Sequence, residues 1–108
     1  MNTPETLILA STSTYRAELL GRLGLSFDIQ RVIIDESSNP SEGSEALAQR
    51  LSVEKAKAVT NIKGDYLSIG SDQVAACDDQ LLGKPGSEAL ACEQLRFISN
   101  KTVQFFTG

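Results

Sequence analysis

Ser11-Thr12-Ser13-Thr14 and Arg16 set four hydroxyls, a run of backbone N–H groups and a guanidinium at the expected start of a helix. Such turns bind phosphate, because the N–H groups and the helix dipole favour negative charge and the arginine fork matches phosphate oxygens. The same residues would equally serve as an ordinary helix cap beside a surface arginine. Asp72 sits in Ile69-Gly70-Ser71-Asp72-Gln73-Val74, which reads as a strand with an acid planted in it. A carboxylate there is costly unless it is used or paired. Gly70 and Ser71 would leave room for a ligand to approach the backbone. An anion-binding turn facing an acid is what phosphate chemistry with a divalent metal requires.

Other groups could join these two. Asp35-Glu36 adds carboxylates from a loop; with Asp72 they could hold Mg²⁺ or Mn²⁺, or they could form a solvated acidic loop. Lys55 falls on the apolar stripe of a helix, from which it could reach a phosphate or snorkel outward. Lys84 is a cation in a Gly-Lys-Pro loop, and the Walker A spacing is absent. Tyr15 could stack on a base and Gln73 could read a hydrogen-bonding edge, although core packing and plain strand roles would also fit them. The chain has no histidine, so a general base must be Asp, Glu, Lys, Tyr or a metal-activated water.

The elements that must position these groups are legible from periodicity. Thr6–Ala10 is a short apolar run typical of a buried strand. A helix capped by Ser13 or Thr14 runs to about Leu23, with Leu19, Leu20 and Leu23 on one face, a Glu18/Arg22 pair and Gly24 as a stop. Residues 26–34 read as extended and 35–43 as a loop. The longest helix is expected from Ser44 to about Ile62, with Leu47, Leu51, Ala58 and Ile62 as its stripe. Residues 66–77 read as strand, Asp78-Asp79 as a turn into Gln80–Leu82, and Ser87 as the cap of a helix that faces inward through Ala91, Leu95 and Ile98. Residues 100–106 read as a last strand. The order β-α-β-α-β-β-α-β defines an α/β fold with crossover helices.

Composition narrows the function. With 108 residues, 41% hydrophobic and 22% charged, the chain suits one globular domain. A net charge of -4 disfavours long nucleic acid as a partner. Cys77 and Cys92 lack zinc-site spacing and fit free thiols in a reducing cytoplasm. Met1–Glu5 lacks the positive start of a signal peptide, and no apolar run is long enough for a membrane span. The expected partner is a nucleotide, with a homodimer left open as the state of assembly.

Leu7–Arg16, Asp35-Glu36, Leu51–Ala58, Gly70–Val74, Gly83–Pro85 and Phe105–Gly108 occur in the order seen in the Maf family of nucleoside triphosphate pyrophosphatases, and the chain resembles that family over its whole length. The resemblance implies a Maf/ITPase-like α/β fold, a mixed sheet with flanking crossover helices. It implies cleavage between the α- and β-phosphates of a nucleotide, aided by a divalent metal. By position, Asp72 matches the proton acceptor. Ser11, Ser13, Arg16, Lys55 and Lys84 match phosphate-binding positions, and Glu36 with Asp72 would hold the metal. Tyr15 and Gln73 match specificity positions and look like the branch acting on 7-methyl-GTP. Branches acting on dTTP and UTP more often carry Arg and Thr there, and a dTTP/UTP pyrophosphatase is the alternative. Thr14 stands where the family often has proline. Relatives continue beyond Phe-Thr-Gly, so residues 1–108 read as the N-terminal portion of a single Maf-like domain, apparently truncated. A non-catalytic nucleotide-binding fragment is therefore the rival from a different functional class.

Overall fold

The computed structural model describes residues 6–108; Met1–Glu5, the segment read against a signal peptide, lies outside them. Two three-stranded sheets flank one helix. In the first, β2 (Asp28–Gln30), β1 (Thr6–Ala10) and β3 (Tyr66–Gly70) are all parallel. In the second, β5 (Gln80–Leu82), β4 (Gln73–Cys77) and β6 (Gln104–Thr107) are antiparallel. The helices are α1 (Thr14–Gly21), α2 (Ser44–Lys57) and α3 (Glu88–Ile98). The α/β class holds, with both kinds of pairing present, but they occupy separate sheets instead of one mixed sheet.

Helix α2 touches β1 and β3 of the first sheet and β4 and β6 of the second. On the second-sheet side Leu47, Ala48 and Leu51 pack with Val74, joined by Ile34 and Phe106. A second cluster of Ile8, Ala10 and Val59, with Val32 and Ile62, closes the α2 face of the first sheet. Helix α2 lies very close to β3. Ser52 and Ala56, spaced four apart, are the small residues at this junction. A Cβ on Gly70 would collide with the backbone carbonyl of Ser52 and the backbone nitrogen of Ala56. The Ser68 hydroxyl donates to the Ala56 carbonyl at 2.7 Å across the same junction.

Several expectations are corrected here. The space beside Gly70 is filled by α2, so it does not admit a ligand. The acid is not within a strand. Residues 66–77 break at Ser71-Asp72, where the chain leaves one sheet for the other. Helix α2 ends at Lys57, short of Ile62. The Gln30 amide exchanges two 2.9 Å hydrogen bonds with the Thr60 backbone, and Asn61 and Gly64 take left-handed conformations. A tertiary contact to β2 thus outcompetes helical propensity. The segment 26–34 forms ladder bonds only at Asp28–Gln30, because β1, its one neighbour, turns away after Ala10. The apolar faces of α1 and α3 bury no residue, and Leu23 remains 68% exposed.

Other expectations hold. Ser13 caps α1 and Ser87 caps α3, each accepting a backbone N–H at 3.2 Å. Gly24 has φ +74° just beyond α1. Asp78 and Asp79 both have positive φ, the conformation of a two-residue hairpin turn. Among the described residues no helix is long and apolar enough to cross a membrane.

The close seat predicts a large effect from a small change. Gly70→Ala is expected to cost about 2–3 kcal/mol, since the obstacle is helix backbone that cannot rotate away. Urea denaturation of the two proteins measures this.

Candidate active site

Strand β1 delivers its buried end, Ser11, to the rim of a cavity of about 210 Å³ lined by Ser11, Thr12, Val32, Ile33, Ile34, Glu36 and Lys55. Ser11 is only 3% exposed. Its backbone N–H donates to the Gln30 carbonyl at 3.1 Å and its hydroxyl accepts from the Ser13 N–H at 2.9 Å. Those bonds coil the turn into α1. A second cavity of about 340 Å³ adjoins the first through Ser11 and Thr12 and is walled also by Ser13, Thr14, Ala17, Ile29 and Arg31.

Lys55 closes the opposite wall. Its position on α2 turns the side chain into the crevice between the sheets, where it is largely buried. Its ammonium lies 2.9 Å from Asp72 Oδ1 and 3.3 Å from Glu36 Oε1. Asp72 is 8% exposed and is fixed by its own backbone, which exchanges hydrogen bonds of 3.3 and 2.9 Å with Gly108. The Ser71 hydroxyl donates to the same Gly108 carbonyl at 2.7 Å. Two carboxylates thus converge on one cation beside the hydroxyl turn. The snorkelling alternative for Lys55 does not describe this geometry.

The loop that carries Glu36 is tied down by Arg50, which the sequence reading passed over. Arg50 Nε and Nη2 grip the two oxygens of Glu42 at 2.7 and 2.9 Å. Its Nη2 also donates to the Ser37 carbonyl at 2.8 Å, and Nη1 reaches Glu54 at 3.1 Å. These hydrogen bonds raise the Arg50 pKa. The Arg50 fork, with the Asn39 N–H, holds the Glu42 carboxyl below the usual carboxylate range. Hydrogen bonds from the Ser37 hydroxyl and N–H do the same for Asp35. The Arg50/Glu54 spacing of four was visible in the sequence; the partnership with Glu42 was not. Arg31 is a further wall residue that went unremarked.

The structure therefore gathers Ser11, Glu36, Lys55 and Asp72, with Ser13 in the adjoining cavity. Asp72 reaches the first cavity only through Lys55, and Arg16, Tyr15, Gln73 and Lys84 are not in the walls of either cavity. Tyr15 is 65% exposed on α1. The Gln73 amide donates to the Thr107 hydroxyl across β4 and β6. Lys84 is exposed in the loop between β5 and α3. Among the described residues no group of three acidic, His or Cys side chains could hold a metal. The carboxylates of Glu36 and Asp72 are oxygen donors of the kind a hard divalent cation takes, and both face the Lys55 ammonium.

The α/β scaffold thus sets a hydroxyl-rich turn opposite a lysine–carboxylate cluster. Residues 6–108 match the family described as Maf-like protein, and the chain belongs to that family. It is 51% identical over 105 residues to the 7-methyl-GTP pyrophosphatase of Nitrosococcus oceani, spanning 97% of this chain and 53% of that one. It is 54% identical over 102 residues to the 7-methyl-GTP pyrophosphatase of Xanthomonas axonopodis pv. citri (94% and 54%). It is 43% identical over 104 residues to that of Colwellia psychrerythraea (96% and 52%). The chain spans about half the length of the curated relatives it matches.

Two outcomes follow from the charge arrangement. Lys55→Met leaves the buried Asp72 carboxylate unpaired and is expected to cost about 3 kcal/mol in urea unfolding. Adding Asp72→Asn should recover part of that loss. The second outcome concerns Glu42, whose folded pKa lies below its unfolded value. Its contribution is fully present above the unfolded pKa and is lost as pH falls through the folded one. The urea midpoint should therefore fall as pH drops from about 5 to 3, and less steeply in Glu42→Gln.

Proposed function

We infer that this chain is the N-terminal portion of a Maf-like domain, acting in the cytoplasm. Its chemistry is hydrolysis of a nucleoside triphosphate, 7-methyl-GTP, to the monophosphate and pyrophosphate. The observation that carries this reading is the cleft that the Ser11-Thr12 turn shares with Glu36 and Lys55, with Asp72 joined to it through its ion pair with Lys55. The relatives, 7-methyl-GTP pyrophosphatases, support the substrate.

The triphosphate lies along the hydroxyl turn, its oxygens facing the backbone N–H groups and the Ser11 and Ser13 side of the helix start. Lys55 contributes positive charge from the opposite wall, and Arg16 and Lys84 add theirs once the substrate is in place. Asp72 accepts the proton of the attacking water. The new bond joins that water's oxygen to the α-phosphorus, and the bond from the α-phosphorus to the bridging oxygen of pyrophosphate breaks. Glu36 and Asp72 are the residues that would hold a divalent cation. Such an ion, when bound, supplies charge neutralisation at the phosphates and lowers the pKa of water. The exposed Tyr15 ring is free to stack on a methylated, cationic guanine, with Gln73 reading its edge.

The half-length span relative to the curated relatives favours one second reading, a fragment that binds nucleotide without turning it over. Pyrophosphate release with Mg²⁺, measured across 7-methyl-GTP, GTP, dTTP and UTP, tests both. The native chain should prefer 7-methyl-GTP, and Asp72→Asn should lose about 100-fold or more in rate. Preference for dTTP or UTP rejects the substrate, equal rates reject the role of Asp72, and calorimetric binding without turnover selects the second reading.

A further inference from the structure

Glu36 lies at the tip of a long polar loop, yet its carboxylate reaches Lys55 at 3.3 Å. The Glu36 side chain is 61% exposed, and an ion pair that open to water contributes little to holding a loop in place. Something else must fix the backbone. The residue that follows Glu36 is gripped directly, because the Ser37 carbonyl accepts from Arg50 Nη2 at 2.8 Å. The far end of the loop is gripped by the same guanidinium, through its bidentate pair with Glu42. Glu42 in turn accepts the Asn39 N–H at 3.0 Å, so the middle of the loop is tied to the same fork. Glu54, one turn further along α2, braces the guanidinium from the other side. Arg50 and Lys55 project from one helix, so the loop and the lysine share one rigid support.

We propose that Arg50 is a positioning residue, which by clamping Ser37 and Glu42 onto α2 holds the Glu36 carboxylate over Lys55 and the cavity. A planar fork suits this task, since a bidentate arginine–carboxylate pair fixes direction as well as distance. The catalytic consequence rests on the pyrophosphatase reading; the geometric one does not.

The test reads side-chain contacts by NMR without any substrate. In the native chain, cross-peaks should connect the Glu36 γ-protons to the Lys55 ε-protons, and the Lys55 ε-protons to the Asp72 β-protons. Arg50→Met should abolish the first set and keep the second. Glu42→Gln should weaken the first set, and it serves as the informative variant if Arg50→Met does not fold. Arg50→Lys should not restore the contact, because an ammonium cannot span Ser37 and Glu42 together. Three results would overturn the proposal: absence of the Glu36–Lys55 contact in the native chain, its survival in Arg50→Met and Glu42→Gln, or joint loss of both contacts in the folded variants. Turnover assays are a separate arm. The Mg²⁺ concentration for half-maximal rate should rise about tenfold in Arg50→Met, as when a supporting residue behind a metal ligand is removed. A native chain with no turnover counts against the pyrophosphatase reading alone.

Discussion

Everything in this molecule depends on how closely α2 can approach β3. Gly70 has no Cβ, and the facing helix surface carries Ser52 and Ala56, so backbone meets backbone. That contact sets the height of α2 above the first sheet. The chain then runs two residues onward to Asp72, and α2 places Lys55 where its ammonium meets that carboxylate. A bulkier junction would move the lysine away from the acid. The geometry of the Lys55–Asp72 pair is thus a consequence of close packing between α2 and β3.

Charge completes what packing begins. Asp72 is buried at the crossing between sheets, a place where an unpaired carboxylate would be strongly disfavoured. Lys55 resolves this, and the loop held by Arg50 brings Glu36 to the same ammonium. One cation thus faces carboxylates from two unrelated parts of the chain. The neighbouring hydroxyl turn needs no charge of its own, because the end of β1 and the start of α1 present backbone donors there. An anion entering the cleft meets donors on one side and the lysine on the other.

The two-sheet layout also accounts for the apolar surface left open. The radius of gyration is 16.5 Å, against about 13 Å for a compact domain of this size. The sheets lie either side of α2 instead of wrapping a single core, so Leu23, Leu95 and Phe105 remain exposed. The same openness keeps the cleft accessible.

Local signals carried a good deal. The Ser13 and Ser87 caps, the Asp78-Asp79 turn, the strand at Thr6–Ala10 and the hydroxyl turn are all properties of a few adjacent residues, and each stands where its chemistry placed it. The sequence by itself also singled out Asp72 and Lys55, because an acid among small and apolar neighbours and a lysine on an apolar stripe are locally costly. What it misjudged were outcomes of distant contacts. Gly70 looked like an opening and is filled by a helix. The long helix stops at Lys57 because Gln30, 30 residues from Thr60 along the chain, captures that residue's backbone. Arg50 drew no notice in the sequence and is the anchor of a loop. Residue type determined which groups were available for phosphate chemistry, since that is written in side-chain atoms. Only the tertiary structure decided which of them meet, because approach distances depend on backbones brought together across the whole chain.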